Sequence, residues 1–144
     1  MKRIRQISVF VENRPGRLLE VVELLGKHSI NIKALSLADS TDFGIVRLVV
    51  KGTDDAIRVL KENGFTIAET HIIACMIDDK PGALANVLKI LADNQINIEY
   101  MYGFASPIEG KAVMVFKFSE TEKAEKILSE NNIQMLSQEE IREI

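Results

Sequence analysis

The chain has 144 residues, of which 47% are hydrophobic and 27% charged, with a formal net charge of −3. That composition is globular rather than disordered, and it lacks the basic excess that general nucleic-acid binding needs. One cysteine, Cys75, rules out an intrachain disulfide, and no apolar run reaches the roughly 18 residues of a membrane span.

In chain order, the N-terminal stretch MKRIRQISVF has no long apolar segment or small-residue cleavage site. It reads as a first strand and not a signal peptide, so a cytoplasmic protein is expected. Ile7, Val9 and Val11 alternate with Gln6, Ser8 and Glu12 across that half-buried strand. NRPG then interrupts it, since proline and glycine punctuate a turn. Leu18, Val21, Val22 and Leu25 follow at helical spacing. INIKALSLA and GIVRLVVKG return to strand character, joined by STDFG as a hairpin connection. Thr53 is a candidate helix N-cap, Ala56, Val59 and Leu60 are the inward face of a second helix, and Gly64 ends it. FTIAETH is a fourth strand.

The order then begins again. Offset by 66 positions, Ile7 to Ser40 matches Ile73 to Ser106 with ten identities in 34 pairs, among them Pro15/Pro81, Gly16/Gly82, Leu25/Leu91 and Asn31/Asn97. Two copies at so long a period indicate a duplicated small domain and not a solenoid, which stacks three or more units. Leu84, Val87, Leu88 and Leu91 repeat the first helical stripe, Ser119 with Glu122 has the spacing of a capping box, and IQMLS is the last strand. The expectation is α+β: two ferredoxin-like βαββαβ domains in tandem, over 1–70 and 71–144, with antiparallel sheets and helices on one face. The short tail SQEEIREI begins with another capping-box pattern, Ser137 and Glu140.

Two features carry functional information. In ENRPGRL and DDKPGAL, glycine lets a ligand approach the backbone just where a helix begins, and a helix N-terminus favours a carboxylate or phosphate. A plain tight turn is the competing account. In SINI and QINI, Asn31 and Asn97 open the next strand, although asparagine is a poor strand residue. They are expected at the far end of the helix from the glycine, so within one domain they cannot easily share a ligand with it. A turn residue at the helix exit is the alternative.

The Pro-Gly turn, amphipathic helix and I-N-I, each present twice, resemble two consecutive ACT domains, regulatory modules found in aspartate kinase, prephenate dehydratase and 3-phosphoglycerate dehydrogenase. The resemblance spans essentially the whole chain. It implies binding of a small effector, usually an amino acid, at an interface between paired domains. The implied site residues are Asn13, Arg14, Gly16 and Leu18 with Asn31, and Asp79, Lys80, Gly82 and Leu84 with Asn97. The carboxylate would sit over the N–H groups around Gly16 and Leu18 or Gly82 and Leu84, and Asn31, Asn97 or strand carbonyls would accept from the ammonium. Asp78 and Asp79 together could accept a polar or basic side chain, or be plain surface acids. Two copies consume the length, so the chain reads as a non-catalytic regulator with no cofactor, acting on a metabolic enzyme or other partner.

On the sheet face away from the helices, Gln6, Ser8 and Arg47 of the first copy are polar, whereas Ile72, Ala74, Met76, Met114 and Phe116 are assigned to that face in the second. With Tyr100, Tyr102 and Phe104 they form an apolar patch that should pack against the first copy or a partner chain, so a homodimer is expected. A protein-interaction module with no small ligand is the main alternative. An RNA-recognition module, with Phe10 and Phe116 stacking bases, lacks the basic-aromatic strand motif. His28, His71 and Cys75 have no metal-ligand spacing. Acylphosphatase-like catalysis through Arg14 and Asn31 is disfavoured because the second copy carries Lys80 and two acids.

Overall fold

The computed structural model describes residues 2–39, 42–105 and 108–144, and among these it has seven strands and five helices. Ser40, Ser106 and part of the expected 40–44 turn lie outside the described residues. The chain divides into two compact units, Arg5–Thr70 and His71–Ile144, the latter together with residues 2–4.

The first unit contains β1 (Ile4–Glu12), α1 (Arg17–Lys27), β2 (Ile32–Asp39), β3 (Phe43–Val50), α2 (Thr53–Glu62) and the start of β4 (Thr66–Asp78), in strand order β2-β3-β1-β4. β1 pairs antiparallel with β3, placing Ile7 opposite Leu48 and Val9 opposite Val46. Directly opposed residues share a face, so these four point together. They meet Val21 and Leu25 of α1 and Ala56, Val59 and Leu60 of α2 in one core. The 3.6-residue stripe of each helix and the two-residue alternation of each strand thus bury the same apolar set.

The second unit contains the rest of β4, α3 (Ala83–Asp93), β5 (Ile98–Gly103), β6 (Lys111–Phe118), α4 (Thr121–Glu130), β7 (Gln134–Leu136) and α5 (Gln138–Glu143), in order β7-β4-β6-β5. Its core gathers Ile73, Cys75, Val87, Leu91, Phe116, Phe118 and Leu128, with the two phenylalanine rings stacked at 5.4 Å. Burial pushes the Cys75 thiol up to about 12, so it is a packing group and not a nucleophile. Residues 2–4 are tied to this unit by charge: Arg3 pairs with the buried Glu125, and Lys2 Nζ lies 3.0 Å from Glu140 Oε1. The tail folds as expected, Ser137 and Glu140 completing a capping box at the start of α5.

Three expectations are corrected. The fourth strand of the first copy and the first strand of the second are one strand, β4, because no proline or glycine interrupts 66–78; His71 lies within it. Met114 and Phe116 belong to the helix face, not the opposite one: they stand across from Cys75 and Ile73, which point into the core. The open-face partners of Ala74 and Met76 are instead Val115 and Val113. Thr53 and Ser119 do not cap α2 and α4: Gly52 and Glu120 hold those positions without a side-chain cap bond. The predicted Ser119–Glu122 capping box is therefore absent, and Ser119 Oγ instead accepts from Asn97 Nδ2 at 3.0 Å. Ile72 to Cys75 are all buried, so this part of β4 is covered on both faces, in line with its two-sided apolar character.

Candidate functional site at the second glycine loop

β4 ends at Asp78, and the chain turns through Asp79, Lys80, Pro81 and Gly82 into α3. Gly82 takes φ +86°, a left-handed conformation that disfavours any side chain, and it allows the turn to enter the helix directly. The loop is held by backbone bonds: Asp79 N–H donates to Gly110 C=O at 3.0 Å, Ala83 N–H to Lys80 C=O at 3.2 Å and Asn86 N–H to Gly82 C=O at 3.0 Å. No side chain caps α3, and its first turn holds no acidic residue. The positive end of the helix dipole is left for something else to complement.

Beside this helix end lies a cavity of about 570 Å³. Its polar lining includes Asp78, Lys80, Asn86, Lys111 and Gln134, with Pro81, Gly82 and Ala83 forming the loop side. Lys111 Nζ donates to Asp78 Oδ1 at 2.6 Å, and Lys80 Nζ is 3.7 Å from Asp78 Oδ2. The Lys111 hydrogen bond, then the charges of Lys111 and Lys80, hold the Asp78 carboxyl below the usual carboxylate range. Two lysines against one acid leave the rim cationic. Asp78 is thereby already engaged, which weakens the notion that the acid pair awaits a basic side chain.

The first unit builds the same turn with different occupants. Gly16 has φ +90° and begins α1. Asn13 N–H donates to Asp42 C=O at 2.9 Å, and Arg14 Nε is 3.4 Å from Glu12 Oε2. Arg17 stands where the second copy has Ala83. Its Nε is shielded from solvent and lies 2.9 Å from Glu12 Oε2, an ion pair whose geometry falls short of a hydrogen bond. The same guanidinium pairs with Glu20 and stacks 5.0 Å over the Phe65 ring.

Of the expected site residues, Lys80 and Gly82 line the cavity and Asp79 sits in its loop. Leu18 and Leu84 pack into their cores, so only their backbone could face a ligand. Asn31 and Asn97 lie at the opposite ends of their helices. There Asn31 C=O accepts from Lys51 N–H at 2.9 Å, and Asn97 C=O from Ser119 N–H at 3.2 Å. An eleven-residue helix is about 16 Å long, so neither asparagine meets the glycine loop of its own unit. Asn86, Lys111 and Gln134 were not anticipated. Lys111 was legible as the cross-strand partner of Asp78, and Asn86 as the residue one turn after Gly82; Gln134 had no local signal. Among the described residues no group of three or more His, Cys, Asp or Glu is placed to hold a metal ion, and no helix is long and apolar enough to cross a membrane.

Comparison with known proteins gives a consistent result. A sequence family described as an ACT domain pair matches residues 2–144. No curated protein matches the chain significantly. Among solved structures, protein BT0572 from Bacteroides thetaiotaomicron is 37% identical, with a TM-score of 0.90 over 99% of this chain and 97% of that one. The regulatory subunit of aspartate kinase from Thermus thermophilus is similar in fold, at 15% identity and a TM-score of 0.61 over 90% of this chain and 93% of its own. Aspartate kinase from Synechocystis is similar over 88% of this chain and 24% of its own length, at 21% identity and a TM-score of 0.58.

Proposed function

The chain belongs to the ACT domain pair family, and from that premise we propose that it is a non-catalytic regulatory protein that binds a free amino acid at the glycine loop of its second copy. The observation that carries this reading is the cavity of about 570 Å³ beside the uncapped start of α3. That volume falls within the range of small-molecule pockets, and a cationic rim at a helix N-terminus suits a carboxylate. The amino acid's carboxylate meets the backbone N–H groups at Gly82 to Leu84, with Lys80 and Lys111 adding positive charge. Gln134 and Asn86 supply amide oxygens for the ammonium. A facing ACT-like domain from another copy of the chain closes the open side. The similarity in fold to a kinase regulatory subunit supports a role in adjusting a metabolic enzyme; a cytoplasmic homodimer is the form proposed for it.

The test is thermal melting against each of the twenty amino acids at millimolar concentration. A ligand at about 100 times its dissociation constant adds roughly 2.7 kcal/mol to the folded state. One or two amino acids are expected to raise the melting temperature of the parent chain and not of Gly82→Ala, in which the loop backbone is strained. If none of the twenty moves the melt, the amino-acid reading fails.

A second reading, a protein-interaction module without a small ligand, is favoured by the exposed Leu35 and Leu37 on β2 and by Phe10 and Phe43. An unmoved melt together with a dimer that dissociates in Leu37→Lys would select it.

A further inference from the structure

The two copies share a loop but not its contents. Aligned by the repeat, Glu12, Arg17, Glu20 and Phe65 correspond to Asp78, Ala83, Asn86 and Ile133. In the second unit all four of those positions line the cavity. In the first, Arg17 reaches from its own position to each of the other three: ion pairs with Glu12 and Glu20, and a stack over Phe65. One side chain thus crosses the whole space that stands open beside Gly82. Its side chain is only 18% exposed despite its charge.

The electrostatics run the same way. A carboxylate near the start of a helix complements its dipole. α1 already has one, Glu20, in its first turn, whereas α3 has none, because Asn86 stands in that place. A carboxylate approaching Gly16 would meet Glu12 and Glu20 with Arg14 and Arg17 already paired to them, so the charges there balance; one approaching Gly82 meets two lysines that share Asp78, the one acid lining the cavity among the described residues.

We propose that the first glycine loop is permanently filled by Arg17 of the same chain, so that each chain takes one effector, at the 71–144 copy, and Ala83 and Asn86 are the positions that keep that copy open. This rests on the amino-acid-binding reading for what enters the second loop, but the filling of the first loop is independent of it.

Calorimetric titration with whichever of the twenty amino acids shifts the melt is expected to give one site per parent chain. Ala83→Arg, which rebuilds the plug, is expected to abolish binding. Asn86→Glu, a change on the surface of α3 that leaves the core untouched, is expected to weaken it at least tenfold. Arg17→Ala is expected to leave the affinity of the existing site within about twofold. Two sites per parent chain, unchanged binding in Asn86→Glu, or binding lost in Arg17→Ala would overturn the proposal. A separate readout needs no ligand. By NMR, the Nε proton of Arg17 should exchange with water more slowly than that of Arg58, whose side chain is 56% exposed. Equal rates would show that Arg17 does not fill the first loop, even if no amino acid binds anywhere; slower exchange upholds the plug whatever the fate of the amino-acid reading.

Discussion

Asp78 is a residue whose role changed once its neighbours were known. Alone in the sequence it is half of an acid pair; in the fold it is the carboxylate that Lys111 and Lys80 share. Removing the closer lysine tests this. In Lys111→Met the Asp78 carboxyl should titrate at a higher pH than in the parent, followed by the side-chain carboxyl carbon shift in a pH series. The sign follows from the lowered folded-state value. The pairing contributes above the ordinary carboxylate range and is lost as pH falls through the lowered value, so the loop should loosen on acidification. Gly82 is simpler. A Cβ there meets nothing within 4 Å, so Gly82→Ala acts through backbone strain alone, about 1 kcal/mol. The loss of binding expected of that variant is therefore a loop effect and not general unfolding.

At the scale of elements, the sequence signals that hold best are those with a physical reason to be local. The buried stripes of α1 and α3, and the left-handed Gly64 after α2, fall where the pattern puts them. The cap of α5 is also local. Its Ser137 hydroxyl accepts from Glu140 N–H at 3.2 Å and the Glu140 carboxylate from Ser137 N–H at 3.1 Å. Lys2 and then the Ser137 bonds hold the Glu140 carboxyl below its ordinary range. Ser137→Ala should cost about 1 kcal/mol and speed amide exchange across 138–143, with α3 exchange unchanged. The caps that failed, at Thr53 and Ser119, show the limit. For Ser119 the competing partner is visible, since Asn97 claims its hydroxyl from 22 positions away, whereas Thr53 is buried as the first residue of α2 itself.

For the whole molecule, duplication is the main fact, and divergence at a few positions gives it direction. Each unit keeps the βαββαβ frame and its own core, while one loop is filled and the other open. Two small cores bury a modest fraction of their surface, which favours association. β2 is at the end of its strand order and displays Leu37 at 54% exposure, the sort of edge that a monomer ordinarily protects. Light scattering should therefore give twice the chain mass of 16.1 kDa, and Leu37→Lys should return the single-chain value. A single-chain mass for the parent protein would remove the homodimer.

What the sequence determined by itself was the repeat, the α+β frame and the two Pro-Gly loops, because periodicity, turn chemistry and glycine's left-handed freedom act over a few adjacent residues. It also carried the remoteness of Asn31 and Asn97 from those loops, since helix length follows from residue count. Only the tertiary structure decided that β4 serves both copies, that Phe116 and Met114 face the core, and that Arg17 lies across the first loop where Ala83 leaves the second open. Those outcomes depend on strand register and on side chains meeting across dozens of positions. Arginine for alanine after a glycine is an ordinary surface difference until Glu12, Glu20 and Phe65 are brought around it.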